Sequence, residues 1–125
     1  FTLYKRWHLI GLEVGVSVAS VALRGEPTGV ATGWNADVVA TAKRDLQPGE
    51  VLDGEGGYTV WGKLTPAKAS LAAGGLPLGL AHNVKVVRPV KKGQSLGWAD
   101  VAMDTGTHAY AVRREMEALF KDTAR

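Results

Sequence analysis

The segment Val38-Val39-Ala40-Thr41-Ala42-Lys43-Arg44-Asp45-Leu46-Gln47-Pro48-Gly49-Glu50-Val51-Leu52 carries a strand, a turn and a returning apolar anchor in close succession. Val38 to Ala42 is rich in β-branched and small apolar residues, as a buried strand is. Pro48-Gly49 marks a turn whose glycine takes positive φ, and Leu52 folds back as the anchor. The same order returns after Val84-Lys85-Val86-Val87. There Arg88-Pro89-Val90-Lys91-Lys92-Gly93-Gln94-Ser95-Leu96 repeats an Arg, an apolar residue, a Gly and a Leu at one constant offset, 88 minus 44, or 44 residues. Two copies are too few for a solenoid, which needs about three, so a small pseudo-symmetric β fold is expected.

Between the copies, Thr65-Pro66-Ala67-Lys68-Ala69-Ser70-Leu71-Ala72-Ala73-Gly74-Gly75 predicts a short surface helix. Thr65 suits the N-cap, Pro66 the first helical position and Gly74 the end. Beyond the second copy, Asp104 to Asp122 predicts an amphipathic helix with Ala109, Val112, Met116 and Leu119 on its apolar face and an i,i+4 pair between Arg113 and Glu117. Upstream, Leu3 to Leu23 places Leu9, Leu12, Val16 and Ala19 at helical spacing, with Gly11, Gly15 and Ala19 as a small-residue ridge. Val14, Val16 and Val18 also alternate at period two, so a strand competes with the helix over that stretch. Arg24-Gly25 and Pro27 should end it, and a linker follows to about residue 37. The expected organisation is 1–37 as a helix plus linker, 38–104 as the β domain and 105–125 as the C-terminal helix.

With 125 residues, 46% hydrophobic and 22% charged, the chain can bury one core. Its 16 glycines favour many tight turns over a helical bundle. The absence of Cys excludes disulfides, thiol nucleophiles and thiolate metal sites. A net charge of +3, with a pI near 9.3, is too small a surplus to imply nucleic acid, although it is compatible with a small anion. Leu9 to Leu23 is shorter than the roughly 20 apolar residues of a membrane span, contains Glu13, and is not followed by a small-residue cleavage site. Phe1-Thr2-Leu3-Tyr4 opens inside an apolar segment without an initiating Met, the expectation being a processed product or a piece of a longer chain.

His8, His82 and His108 are scattered without ligand spacing, so no metal is expected. Ser17, Ser20, Ser70 and Ser95 lack a nucleophile-elbow context, and Gly54-Glu55-Gly56-Gly57 reads as a turn, not as a dinucleotide loop. No catalytic residue is assigned. Two basic constellations are candidate binding sites. Arg6 and His8, with Lys5 and Trp7, stand where the first helix should start, so they could hold an anion or simply solvate a helix end. Lys43, Arg44 and Lys63, with Tyr58 and Trp61, could bracket a phosphorylated or carboxylated sugar-like ligand. The competing reading makes Trp61 a cap on the core and Lys63 a snorkelling surface charge.

Val38 to Leu52 resembles the opening of the SAF domain, the antifreeze-like β-clip family found in type III antifreeze proteins and at the C-terminus of sialic acid synthases. Arg88 to Asp100 is similar to that family's later strand-turn element. With Arg6-Trp7-His8-Leu9-Ile10-Gly11-Leu12-Glu13 and Asp53-Gly54-Glu55-Gly56-Gly57-Tyr58-Thr59-Val60-Trp61-Gly62-Lys63-Leu64 added, nearly the whole chain resembles the C-terminal region of homoserine-dehydrogenase-like NAD(P)-dependent oxidoreductases. A deoxyxylulose-phosphate reductoisomerase-like enzyme of bacteria belongs to that group. The resemblance implies an α+β, mainly β fold: a β-clip core with an N-terminal, a short inserted and a C-terminal helix. It also implies an upstream Rossmann and catalytic domain, NAD(P) bound there and not in this chain, a homo-oligomer, a cytoplasmic location, and no nucleic acid or membrane partner. The implied role is assembly of domains or subunits and closure of a pocket for an anionic sugar or polyol phosphate. No residue here matches the Gly-rich cofactor fingerprint, so this chain alone should not transfer hydride. SAF domains also occur in flagellar and pilus assembly proteins, which leaves a non-enzymatic carbohydrate-binding or assembly-chaperone module as the alternative. A sugar-acid dehydratase accessory domain is a third possibility.

Overall fold

The structure, a computed structural model, describes residues 4, 6–7 and 10–124, and the chain forms two compact units, Phe1–Thr32 and Gly33–Arg125. In the first unit, helix α1 spans Ile10–Ala19 and runs on as a single wide turn over Ser20–Arg24. Gly25, at φ 65°, closes it by donating its N–H to the Val21 carbonyl at 3.1 Å. Helix therefore prevails over the strand alternative here. The first turns expected from Leu3 fall partly on Leu3, Lys5, His8 and Leu9, which lie outside the described residues. Val14, Val16, Val18, Val21 and Leu23 are all exposed. The small-residue ridge is open, since a Cβ on Gly11 or Gly15 would meet nothing within 4 Å.

The second unit is built from two small antiparallel sheets. Strand β1, Ala36–Ala42, pairs with β3, Val60–Pro66, in a register that sets Val39 opposite Lys63 and Thr41 opposite Trp61. Strands β2 (Val51–Asp53), β4 (His82–Val86) and β5 (Val101–Ala102) form the other sheet in the order β2-β4-β5. The fold class is α+β. More residues lie in helices than in strands, so a mainly β description fits only the core. The buried cluster around Ala40, Leu46, Leu52, Val60, Val86 and Leu96 comes from strands and the segments joining them.

The 44-residue repeat is a physical one. Ala42 N–H donates to the Gln94 carbonyl at 2.9 Å, and Val86 N–H to the Glu50 carbonyl at 2.8 Å. Gly93 N–H reaches the Ala42 carbonyl and Gly49 N–H the Val86 carbonyl, both at 2.8 Å. Adding or subtracting 44 converts each bond into its counterpart, so each copy's turn binds back onto the other copy's strand. Gly49 and Gly93 both have positive φ, 95° and 82°. Leu52 and Leu96 are both fully buried, as the anchor reading requires.

Two local expectations are corrected. Helix α2 spans only Ala67–Ala73, with Gly74 ending it at φ 62°. Thr65 and Pro66 still belong to β3, so Thr65 is not its cap; Pro66 holds the cap position with an extended ψ of 137° and no side-chain bond. Helix α3 spans His108–Phe120, later than Asp104, because the Thr107 hydroxyl caps it by accepting the Tyr110 N–H at 3.3 Å. Its orientation is the reverse of an ordinary amphipathic helix. Ala109, Val112 and Leu119 face solvent, whereas Arg113 is nearly buried and Glu117 is buried. The ion pair turns inward because the second unit offers it a matching polar receptor. Among the described residues no helix is long and apolar enough to cross a membrane.

Candidate functional site

That receptor begins with Trp34 and Asp37, just before and within β1. The Arg113 guanidinium forks onto both Asp37 oxygens, Nη1 to Oδ1 at 3.0 Å and Nη2 to Oδ2 at 2.5 Å, and lies 4.8 Å from the centre of the Trp34 ring. Ser70 of α2 donates its hydroxyl to Asp37 Oδ2 at 2.6 Å, and Glu117 accepts from Arg113 Nε at 2.9 Å. Burial alone would push the Asp37 carboxyl up; the bonds from Arg113 and Ser70 outweigh it and hold the pKa below its ordinary value. Burial likewise opposes the Arg113 charge, and Asp37 and Glu117 more than restore it. Such a fork-to-fork pair fixes geometry as well as energy.

Two side chains held by α3 and its network, Ser70 and Trp98, also line a cavity of about 410 Å³. Trp98 stands edge-on to Tyr110, ring centres 5.5 Å apart at 87°, with the Arg114 guanidinium 5.6 Å from its ring. The cavity lies beside the C-terminal end of α2, between the β1–β3 pair and residues 88–100, wholly within the second unit. Its charged lining is Lys63, Arg88 and Asp100. Arg88 Nη2 contacts Asp100 Oδ1 at 2.8 Å, while Asp100 Oδ2 accepts the Gly97 N–H at 2.7 Å. The Ser95 and Thr41 hydroxyls are 3.0 Å apart. The Lys63 ammonium makes no ion pair or hydrogen bond among the described residues. The wall thus offers one uncommitted cation, a partly committed guanidinium, hydroxyls and an indole.

The residues singled out from sequence are divided by the structure. Lys43 donates its ammonium to the Gly57 carbonyl, which brings it beside Tyr58, whose ring is largely exposed. Arg44 is spent on its own turn, with Nη2 2.6 Å from Glu50 Oε2, while Glu50 Oε1 accepts the Gln47 N–H at 2.7 Å. Lys63 sits opposite Val39, four strand positions from Lys43, or about 13 Å at the rise of a strand. Lys43 and Tyr58 are therefore together, and Lys63 belongs to a different place. Arg6 packs 5.4 Å from the Trp7 ring, ahead of the described start of α1, and His8 lies outside the described residues. The Gly54–Gly57 stretch is a turn closed by Asp53, whose carboxylate accepts from the Tyr58 N–H at 2.6 Å, the Thr59 N–H at 3.0 Å and the Thr59 hydroxyl. Those bonds hold the Asp53 pKa down to about 2, the Thr59 hydroxyl contributing most. Among the described residues no group of three or more His, Asp or Glu is placed to hold a metal.

Sequence reasoning passed over Arg88. A signal existed in the repeat: Arg88 is the counterpart of Arg44, but the carboxylate that occupies Arg44, Glu50, is replaced at the matching place by Gln94. Gln94 keeps the turn bond, accepting the Lys91 N–H at 2.7 Å as Glu50 accepts that of Gln47. It brings no charge for the arginine, which turns instead toward Asp100 and the cavity. The chain matches no protein-family model and no curated protein.

Proposed function

We propose that this chain is a SAF-type β-clip module from the C-terminal region of a cytoplasmic, bacterial NAD(P)-dependent oxidoreductase of the homoserine-dehydrogenase-like group. In this reading it joins domains or subunits of a homo-oligomer and helps to close a pocket for an anionic sugar or polyol phosphate, while the cofactor binds upstream. The observation that supports it most is the exchange of turns between two strands at the 44-residue offset, the pseudo-symmetric β arrangement that the internal repeat predicts. The bare apolar surface of α1 adds support, because a partner surface would remove Val14, Val18, Val21 and Leu23 from water. The alternative, a non-enzymatic carbohydrate-binding or assembly module, is favoured by the cavity being complete within one unit.

The test is the natural protein itself. An antibody raised against this chain should detect, in source cells, a band at about three times 13.2 kDa, the size that a Rossmann and a catalytic domain would add. The protein so isolated should quench or enhance NAD(P)H fluorescence saturably. A band at 13.2 kDa, or a larger protein without nicotinamide binding, overturns the oxidoreductase reading in favour of the alternative.

A further inference from the structure

We propose that the cavity beside α2 is a binding site for a small hydroxylated anion of about monosaccharide size, its carboxylate or phosphate held between Lys63 and Arg88. The inference rests on the reading above only for where such a ligand comes from; the binding chemistry stands on the cavity. Asp100 and Arg88 offset one another, with both Asp100 oxygens already committed, so Lys63, which has no partner among the described residues, leaves the wall net positive. Arg88 uses only Nη2 on Asp100, which leaves further guanidinium N–H groups able to fork onto an oxyanion. A volume of about 410 Å³ falls in the ordinary range for a small-molecule pocket.

The neutral part of the wall matches a polyol better than a purely apolar ligand. The Ser95 hydroxyl shares one hydrogen with Thr41 and keeps bonding capacity, and Thr65 adds another hydroxyl. Trp98 supplies a flat apolar face for C–H groups, already fixed by Tyr110 and Arg114, so little ordering is needed on binding. Gly75 is required at the floor, where a Cβ would come within 2.7 Å of the Ser70 hydroxyl. Lys43, Arg44 and Tyr58, the cluster favoured from sequence, have no part in the site.

The experiment uses the 125-residue chain, labelled with ¹⁵N and titrated at low salt with gluconate, glucose 6-phosphate and neutral glucose. Saturable shifts of the Trp98 indole and of the Gly74, Gly75 and Gly97 amides are expected with gluconate if a carboxylate is the head group, and with glucose 6-phosphate if a phosphate is. Lys63→Ala should weaken binding by about fivefold or more, as loss of a charge-assisted contact does, and Lys43→Ala should leave it unchanged. The proposal is overturned by absence of saturable shifts with both anions, by equal shifts with glucose, or by unaltered affinity in Lys63→Ala. Because the titration needs no upstream domain, binding together with a natural protein of 13.2 kDa would sink the oxidoreductase reading while leaving the site intact.

Discussion

Leu46 and Val90, 44 residues apart, exchange both backbone hydrogen bonds: the Leu46 N–H donates to the Val90 carbonyl at 2.8 Å and the Val90 N–H to the Leu46 carbonyl at 3.1 Å. Both side chains are buried. Each residue is the other's counterpart in the repeat, so the pair marks the pseudo-two-fold relation between the copies. Bringing together points this distant in sequence costs closure entropy, and the shared core of Leu46, Leu52, Val90 and Leu96 offsets it.

The two turn glycines should respond alike. Gly49 and Gly93 have φ of 95° and 82°, and a Cβ on either meets nothing within 4 Å, so alanine there introduces backbone strain without a clash. Gly49→Ala and Gly93→Ala should each lower stability by about 1 kcal/mol, strain partly compensated by a stiffer unfolded chain. Urea unfolding reads this; a large loss from one and none from the other would show that the turns are not equivalent.

Removing one partner of the inward ion pair should be far more damaging. Asp37→Asn removes the forked partner of the Arg113 guanidinium, which is nearly buried at 11% exposure, and leaves it only the single contact to Glu117 among the described carboxylates, so it should cost about 3 kcal/mol. The double replacement Asp37→Asn with Arg113→Met should recover much of that loss, since Glu117 keeps the Arg114 guanidinium and no buried charge is left without a partner. Unfolding followed by tryptophan fluorescence checks both, with Trp34 reporting directly on the position of the guanidinium.

Acid should open the turn at Gly54–Gly57 before the core. The Asp53 pKa falls from 3.8 to about 2 in the folded chain, so the ionised form is the one that the fold favours. Its contribution is complete above pH 3.8 and is lost as pH falls through 2. Amide exchange at Tyr58 and Thr59 should therefore accelerate across that window, and Asp53→Asn should show the faster exchange at neutral pH without further acid dependence. Unchanged protection of those two amides at pH 2 would contradict the assignment.

Local chemistry was readable along the chain. Gly25 and Gly74 end helices because only a residue without Cβ takes left-handed φ cheaply, and Gly49 and Gly93 make the turns for the same reason. The repeat was legible as an offset, and the i,i+4 pair of Arg113 and Glu117 as a helical spacing. None of these depends on what lies across the molecule. The direction that α3 faces does depend on it. Periodicity identifies an apolar stripe and assumes that it turns inward, but Trp34, Asp37 and Ser70, brought together from two other elements, made the charged face the one worth burying. The candidate site depends on it too: clustering in sequence put Lys43, Arg44 and Tyr58 with Lys63, whereas strand register separates them and folding brings Lys63 to Arg88 across the cavity. A helix cap is settled within one turn of chain, while the partner of a cation is settled by which segments the core draws together.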